Sequence, residues 1–367
     1  DEYNDQFRLE VGTPRHFTMS MLLGGTNYFA GPGFLQAVNG GNWSSTRHLS
    51  AITGAGSLLS GVGEGGAIVL LAPTRVPDFP GISHLRGIAS SGSMLVAVGR
   101  AGAIQASTDG IRWAEAQSGT TNHLAAITYA HDRFVAVGEQ GTLLTSSNGL
   151  HWSNVPIGLT NSLTDVVGGP DRILAVGPTG AILQSQDGVV WNGTAGSTSI
   201  PALSWVAYGA GRFIGVDRSS FWVSTDGTAW ERHVAPVFSQ INSIAYGRGM
   251  FAALARPSGF VLPPSSGHSI IFSSADGVHW SQLPVRLPAQ DLTLRFADNY
   301  FIAIGPDGRM FTSNDLLRWV ERSEHTTWRL YDAVGFQNTL VAVGDYGTVL
   351  QTDPLAGTPP RLVSQPV

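Results

Sequence analysis

The chain has 367 residues, of which 46 are Gly, 20 are Pro and none is Cys, and only 13% are charged. A typical soluble chain has about 25% charged residues and about 7% Gly, so this composition favours short strands joined by tight turns. A net charge of -5 without any basic run argues against nucleic-acid binding. The absence of cysteine excludes disulfides and thiolate metal sites, and no apolar stretch approaches the ~20 residues of a membrane helix.

The N-terminal region differs from the rest of the chain. The chain begins at Asp1 and not at Met, which suggests a removed signal peptide or a removed tag, and we expect a secreted or periplasmic protein. Residues 1–32 are irregular and are predicted to be an N-terminal extension. The stretch GFLQAVNGGNW at 33–43 has the pattern of the last hairpin of a repeated module. We predict that the modules extend to residue 352 and that residues 353–367 form a C-terminal tail.

The segment His123–Trp152 shows the repeated module most clearly. Its apolar runs LAAITYA, FVAVG and GTLLTSS are separated by Gly and by polar turns, and Asn148-Gly149 then leads into LHW. Runs rich in Val, Ile, Leu and aromatic residues between such turns predict strands, and Asn-Gly is a strong hairpin signal. The module is therefore predicted to contain four strands.

The same module recurs along the chain. The tryptophans that close it are 39 residues apart, with one step of 50 that contains an insertion: Trp113, Trp152, Trp191, Trp230, Trp280 and Trp319. A period near 40 residues with four strands per repeat is typical of a β-propeller. Eight modules begin with a Leu- or Ile-rich strand, and the eighth lacks its last strand. We predict an all-β, single eight-bladed propeller at 33–352 whose last blade is closed by N- and C-terminal strands. Seven blades are the alternative if the weak unit at 48–80 is not a blade.

A seven-residue box closes most modules. Its copies are STDGIRW (107–113), SSNGLHW (146–152), SQDGVVW (185–191), STDGTAW (224–230), SADGVHW (274–280) and SNDLLRW (313–319). This box resembles the Asp-box (BNR) repeat of sialidase-like propellers, in particular those described as photosystem II assembly-factor-like. The resemblance implies that the boxes lie on the outer rim, away from the ligand face. It implies no single activity, because enzymes and binding proteins both carry the box.

Candidate site residues occupy two positions of the module, both predicted at the same mouth of the central channel. Just before the innermost strand, three consecutive modules have a histidine: His48, His84 and His123. Neutral imidazoles that converged there would hold one divalent metal such as Zn or Mn. The alternative is that each histidine caps the turn between blades.

The second position follows the VAVG-like strand and carries charge in six of eight modules. The charged residues there are Glu64, Arg100, Glu139, Arg218, Arg256 and Asp345. Arginines and carboxylates around a channel suit an acidic, sugar-like ligand, because guanidinium groups bind carboxylates in two bonds. A solvated rim of weak salt bridges is an equally good interpretation.

The starts of the inner strands are also expected to line the channel, and they carry Arg86, Asp165, Trp205, Tyr331 and Asp332. The insertion at 256–269, with His268, is a candidate lid, although a plain solvent loop is more common.

These residues suggest a monomer that binds an acidic carbohydrate, with cleavage by a lyase or hydrolase mechanism as an option. In a lyase, Arg86, Arg100 or the metal would neutralise a uronate carboxylate, and Tyr331, His84 or His123 would take the neighbouring proton. Hydrolysis by Glu64 and Glu139 is a further option. The rival hypothesis is a non-catalytic scaffold that recognises a protein partner.

Overall fold

A computed structural model describes residues 84–352, apart from 111, 195–200, 237–238, 258–266 and 323–327. Outside this range it describes the backbone of five strands between residues 19 and 71 and of one strand at 362–365. The chain divides into two compact units, Asp1–Arg75 and Val76–Val367. Among the residues described, no helix has the length and apolar character needed to span a membrane.

The first unit contains one antiparallel sheet. Its strands pair in chain order, β1 to β5. They are β1 (Met19–Leu23), β2 (Thr26–Ala37), β3 (Asn42–Ala55), β4 (Leu58–Gly63) and β5 (Ala67–Leu71). The hairpin predicted at 33–43 and the weak module at 48–71 both belong to this sheet, so neither is part of the propeller unit.

In its described part, the second unit contains seven four-stranded antiparallel sheets. Blade 1 comprises β6 (Leu85–Ser90), β7 (Leu95–Gly99), β8 (Ile104–Ser107) and β9 (Ala114–Glu115). Blade 2 comprises β10 (Leu124–Ala130), β11 (Arg133–Gly138), β12 (Leu143–Ser146) and β13 (Ser153–Asn154). Blade 3 comprises β14 (Asp165–Gly168), β15 (Ile173–Gly177), β16 (Ala181–Ser185) and β17 (Asn192–Thr194).

The remaining blades have the same order. Blade 4 comprises β18 (Trp205–Gly209), β19 (Arg212–Val216), β20 (Ser220–Ser224) and β21 (Glu231–Val234). Blade 5 comprises β22 (Ser239–Gly247), β23 (Met250–Pro257), β24 (Ser269–Ser274) and β25 (Ser281–Leu287). Blade 6 comprises β26 (Thr293–Ala297), β27 (Tyr300–Ile304), β28 (Met310–Ser313) and β29 (Val320–Glu321). Blade 7 comprises β30 (Leu330–Phe336), β31 (Thr339–Gly344), β32 (Val349–Thr352) and β33 (Leu362–Gln365).

The seven blades close into a ring through apolar packing. A buried apolar cluster lies between each pair of consecutive blades, because alternate residues of each strand face the neighbouring blade. A further cluster joins blade 7 to blade 1 and includes Leu85, Leu95, Phe336 and Val343. The prediction of eight blades is therefore wrong, and the seven-bladed alternative is confirmed.

The closing strand also differs from the prediction. The last blade is completed by β33, which pairs antiparallel with β32 from Thr352↔Leu362 to Val349↔Gln365. All four strands of blade 7 thus come from the C-terminal part of the chain. The predicted hairpin at 33–43 does not supply this strand, since its two strands pair within the sheet of the first unit.

The six boxes form one type of turn. In the first, Gly110 N–H donates to Ser107 Oγ over 2.8 Å, Arg112 N–H donates to Asp109 Oδ1 over 2.8 Å, and Trp113 Nε1–H donates to the Gly110 carbonyl over 3.0 Å. The other five boxes repeat the two backbone bonds, and four of them repeat the tryptophan bond. The exception is Trp191, whose Nε1–H has no acceptor among the described residues. Each closing tryptophan packs on the cluster shared with the preceding blade. These bonds confirm the turn chemistry expected of the box, which is structural.

Candidate functional site

One mouth of the channel is built by loops between the second and third strands of the blades. In blades 1, 2, 6 and 7 this loop is a one-turn 3-10 helix that begins at Arg100, Glu139, Pro306 or Asp345. The backbone N–H groups of Arg100, Glu139 and Asp345 each donate over 2.9 Å to the carbonyl that precedes the inner strand of the same blade. The acceptors are His84, His123 and Arg329. The two positions singled out in the sequence therefore lie at the same mouth, as predicted.

A glycine allows this close approach. A Cβ atom at Gly99 would lie 2.0 Å from the His84 carbonyl oxygen, and one at Gly344 would lie 2.2 Å from the Arg329 carbonyl oxygen. Only a residue without a side chain fits such contacts. The VAVG pattern of the repeat is thus required for the geometry of the mouth.

β-bulges direct side chains into this mouth. The pairing of the two innermost strands shifts by one residue between Leu85 and Gly87 in blade 1 and between Leu330 and Asp332 in blade 7. The extra residue in each case is half-buried, and it is Arg86 in blade 1 and Tyr331 in blade 7. A bulge re-aims the side chain of its extra residue, and the two bulges lie at the same end of the blades as the mouth loops.

Arg86 and Tyr331 meet between blades 1 and 7. The Arg86 guanidinium carbon lies 3.9 Å from the centre of the Tyr331 ring, and that of Arg329 lies 5.4 Å from it. Arg329 donates one hydrogen bond, from Nη2 to the Asp291 carbonyl over 2.9 Å, and its buried Nε–H has no acceptor among the described residues. No described carboxylate lies within ion-pair distance of either guanidinium, so two cationic groups flank one phenol and neither has a direct carboxylate partner.

Asp345 is the described carboxylate directly beside this group, and it has other partners. Asp345 Oδ1 lies 2.6 Å from His84 Nδ1, and Asp345 also hydrogen-bonds to the Tyr331 hydroxyl. Burial raises the pKa of Tyr331, the Arg86 guanidinium opposes this effect, and the bond with Asp345 adds to it. A raised pKa keeps the phenol protonated at neutral pH. Tyr331 is therefore better suited to donate a hydrogen bond than to act as the base that the sequence suggested.

Two aromatic residues extend the mouth surface. The Tyr346 ring lies 4.8 Å from the His84 imidazole and 4.3 Å from the Trp328 ring, measured between ring centres. Tyr346 is 45% exposed, although large aromatic residues are usually buried. The cationic group therefore adjoins an accessible aromatic surface, and this combination suits ligands with both acidic and apolar parts.

A second layer of residues lies one position further along the inner strands. Asp165, Ser243 and Asp332 are buried there, and each accepts a hydrogen bond of 2.9 Å from the backbone of the next blade. The donors are the N–H groups of Val206, Leu294 and Ile88. These N–H groups lie on the edge of an innermost strand that no other strand pairs, so the side chains satisfy donors that would otherwise be unbonded. Asp165 and Asp332 thus hold the ring together and do not line an open channel.

Arg295 joins the two buried carboxylates electrostatically. Its Nε–H donates to Asp332 Oδ1 over 2.5 Å, and its guanidinium carbon lies 5.2 Å from the Trp205 ring centre. Burial raises the pKa of Asp165 from 3.8 to about 6, although Arg295 and two backbone N–H groups lower it. Burial likewise raises the pKa of Asp332, against the opposing effect of Arg295. Burial disfavours the charge on Arg295, but the two carboxylates outweigh it and raise the pKa of the guanidinium.

The histidines have structural partners. His123 Nδ1 accepts a hydrogen bond from the Ala101 N–H over 2.9 Å, which agrees with the inter-blade cap considered as an alternative. His48 lies in β3 of the first unit, outside the residues whose side chains are described. Within the described part of the chain, no three His, Cys, Asp or Glu residues are grouped so that they could hold a metal. The divalent metal stays a prediction, and no step below depends on it.

The other predicted ligand residues are distributed around the same mouth. Arg100, Glu139 and Arg218 are exposed in their loops, while Arg256 lies 3.9 Å from Asp291 Oδ1. Glu64 and most of the insertion lie outside the described residues, so the pairing of Glu64 with Glu139 and the lid stay predictions.

Sequence reasoning did not assign a site role to Arg329, Trp328, Tyr346 or Arg295. Arg329 precedes its inner strand at the same position as His84, and this shared position was the available signal. Arg295 gave no such signal, because it lies two residues beyond Thr293, the residue of blade 6 that is equivalent to Asp332 of blade 7.

Comparison with known proteins identifies the fold and nothing finer. No protein-family model matches the sequence, and no curated relative matches it. Among solved structures, YCF48 from Cyanidioschyzon merolae is 17% identical with a TM-score of 0.57, and the match covers 77% of this chain and 98% of that one. A structure described as YCF48 bound to D1 peptide is 15% identical with a TM-score of 0.58, covering 74% and 92% of the two chains.

An enzyme of the same fold is equally similar. A catalytically inactive variant of virginiamycin B lyase from Staphylococcus aureus, solved with quinupristin, is 10% identical with a TM-score of 0.60. The match covers 73% of this chain and 94% of the lyase. The chain is a seven-bladed β-propeller. At these identities the similarity does not select between a binding protein and an enzyme.

Proposed function

We propose that this propeller is a binding protein whose channel mouth holds an acidic segment of a protein partner. The observation that carries the proposal is the group of Arg86 and Arg329 around Tyr331, two guanidiniums without a carboxylate partner in the described chain. In a protein with a net charge of -5, such a local excess of positive charge requires a reason. Binding of an anion supplies one.

The chemistry of these groups suits a carboxylate. A guanidinium presents a planar set of N–H donors that matches the two oxygens of a carboxylate, and charge-assisted bonds of this kind are about twice as strong as neutral ones. The bond from Arg329 Nη2 to the Asp291 carbonyl holds the second guanidinium beside the Tyr331 ring, so both cationic charges are fixed at this mouth. The bond between Asp345 and His84 leaves that carboxylate less free to compete for the arginines.

The aromatic surface favours a polypeptide. Trp328 and the exposed Tyr346 adjoin the cationic group and offer apolar contacts to side chains next to an acidic residue. YCF48, a neighbour in fold, was solved with a bound peptide, which shows that such a propeller can take a peptide ligand. The expected export of the protein stays a prediction.

Titration calorimetry with two synthetic peptides tests this proposal. One peptide is rich in Asp and Glu, and the other carries Asn and Gln at the same positions. We expect binding of the acidic peptide alone, weakened when ionic strength rises from about 0.01 to 1 M and the screening length falls from about 30 to 3 Å. In Arg86→Ala the affinity should fall about 10-fold, whereas Arg112→Ala, which removes an exposed arginine of a box turn, should leave it unchanged. Equal binding of both peptides would contradict the proposal.

The pair formed by His84 and Asp345 favours a second candidate, a lyase for acidic carbohydrates. A carboxylate 2.6 Å from Nδ1 orients the imidazole, and Nε2 could then take a proton beside a uronate carboxylate held by Arg86. The test is the growth of enoate absorbance when the protein is mixed with uronic polysaccharides. Growth that His84→Ala abolishes would favour the lyase over the binding protein, and no growth on any polysaccharide would remove it.

A further inference from the structure

A polar pocket of about 370 Å³ lies on the face opposite the arginine mouth. We name it the asparagine pocket, and its lining residues are Arg248, Asp298, Asn299, Tyr300, Asn314 and Asn338. Five of them belong to turns or strand starts between the two innermost strands of blades 5, 6 and 7, and Asn314 belongs to the box turn of blade 6. Both kinds of turn lie at the ends of the strands away from the mouth loops, so this pocket is separate from the proposed peptide site.

The pocket exists because blade 7 lacks a side chain that other blades supply. The two innermost strands of each blade form a hairpin, and the position that differs lies in the first of them, one pair before the turn. It is aromatic in blades 4, 5 and 6, where Tyr208, Tyr246 and Phe296 each pack on a phenylalanine of their own blade. In blade 7 the same position, opposite Leu340, is Gly335.

These aromatic rings also cover the preceding blade. A Cβ at Gly209 of blade 4 would lie 2.1 Å from the Tyr246 ring of blade 5, and one at Gly247 of blade 5 would lie 2.1 Å from the Phe296 ring of blade 6. Gly335 provides no ring for blade 6. The Asp298 carboxylate occupies part of that space, since a Cβ at Gly335 would lie 2.3 Å from Asp298 Oδ2.

The polar groups of the pocket are available to a ligand. No hydrogen bond or ion pair joins the side chains of the six lining residues to any other described residue. They offer three carboxamides, each with two donor hydrogens and an acceptor oxygen, together with one guanidinium, one carboxylate and one phenol. The guanidinium and the carboxylate balance in charge, so the pocket favours a ligand without net charge.

We propose that the asparagine pocket binds a neutral saccharide unit. Hydroxyl groups of a sugar both donate and accept hydrogen bonds, as the carboxamides of Asn299, Asn314 and Asn338 do, and the pocket volume lies in the range of about 300–1,000 Å³ usual for small-molecule sites. The polar lining disfavours an apolar ligand, because the unbonded amides would be desolvated without compensation. The site is independent of the arginine mouth and of its proposed peptide.

Saturation-transfer NMR on the full chain tests this site with uncharged probes. The probes are glucose, galactose, mannose, N-acetylglucosamine, maltose and lactose, each at about 10 mM, where a Kd near 1 mM gives nearly full occupancy. We expect a signal from at least one probe. Gly335→Ala should weaken it at least 10-fold, because the added methyl group displaces the Asp298 carboxylate.

A second variant separates loss of the site from loss of the fold. Asn314→Ala removes one carboxamide from an exposed turn and should also weaken the signal, whereas Gln186→Ala, at the same position of the box in blade 3, should leave it unchanged. Binding of the acidic peptide should be normal in all three variants. The proposal is overturned if no neutral probe binds, if only charged sugars bind, or if Asn314→Ala and Gly335→Ala both bind the probe as the unmodified protein does.

Discussion

Two successive positions of the inner strands behave in opposite ways. The extra residue of each bulge, such as Arg86 and Tyr331, is half-buried at the mouth, and Arg86 forms no ion pair with another described residue. The next residue, such as Asp165 and Asp332, is buried and bonded to the backbone of the following blade. A shift of one residue thus separates side chains that are free to bind a ligand from side chains that stabilise the ring.

This difference explains why charged residues in a channel need not be functional. The innermost strand of every blade has one edge that no strand pairs, and a buried N–H without an acceptor is destabilising. Asp and Ser at the second position satisfy that need, whereas no such need accounts for Arg86. Variants at the second position should therefore alter stability, and variants at the first should alter binding.

Asp332→Ala should have the largest effect. It removes the acceptor of the Ile88 N–H, which joins blade 7 to blade 1, and leaves the Arg295 guanidinium without its nearest counter-charge. Loss of one partner of a buried ion pair typically destabilises a protein by about 3–5 kcal/mol. Urea unfolding should show a decrease of this size, with Asp132→Ala, an exposed turn aspartate, as the control. A decrease below about 1 kcal/mol would mean that this pair does not stabilise the ring.

Asp165 should make stability depend on pH. Its folded pKa of about 6 lies above the ordinary value of 3.8, so the folded state binds the proton more tightly. The contribution of Asp165 to the free energy of unfolding is therefore complete below about pH 4 and is lost as pH rises through 6. In the unmodified protein, Asp165 should make the free energy of unfolding on the order of 2 kcal/mol larger at pH 4 than at pH 7. Asp165→Asn should remove this difference. If the free energy of unfolding varied with pH in the same way in the unmodified protein and in Asp165→Asn, this role of Asp165 would be contradicted.

Arg86→Ala should change stability little and peptide affinity more, the opposite of the aspartate variants. The contact of Arg86 with the Tyr331 ring contributes about 0.5–1 kcal/mol, so the free energy of unfolding measured in urea should fall by no more than that. Affinity for the acidic peptide should fall about 10-fold, which corresponds to about 1.4 kcal/mol. A large loss of stability with unchanged affinity would place Arg86 with the residues that hold the ring.

His123→Ala should have the smallest effect. The imidazole accepts one hydrogen bond from the Ala101 N–H in an exposed loop, and such a bond contributes about 0.5–1.5 kcal/mol at most. We expect the free energy of unfolding to fall by about 0.5 kcal/mol and the affinity for the acidic peptide to stay unchanged. Stoichiometric metal in the purified protein, lost in this variant, would instead support the metal site predicted from the sequence.

The repeat allowed much of the fold to be predicted, because turn chemistry and strand patterns are local. The boxes, the four-stranded module and the shared mouth of His84 and Arg100 followed from residue types and spacing alone. The count of blades did not, since the stretch at 48–71 has the strand pattern of a module yet pairs within another sheet. The closing strand Leu362–Gln365 is four residues long and no box precedes it, so nothing local distinguished it from a tail.

The site residues were predictable only where their position within a single blade module marks them. Arg86, Tyr331 and Asp345 occupy positions that the repeat makes recognisable, and they meet at the mouth. Arg295 could not be found in this way, because its contact with Asp332 depends on how blades 6 and 7 pack against each other. The asparagine pocket likewise depends on Gly335 of blade 7 and on the Asp298 turn of the preceding blade.

The most direct test compares arginine side chains by NMR. In protein labelled with 15N-arginine, the Nε–H resonances of Arg86, Arg329 and Arg295 report on the mouth and on the layer beneath it. Addition of the acidic peptide should shift the resonances of Arg86 and Arg329 and leave that of Arg295, already bonded to Asp332, in place. A shift of Arg295 alone, or no shift of Arg86 and Arg329 when the peptide is bound, would contradict the account.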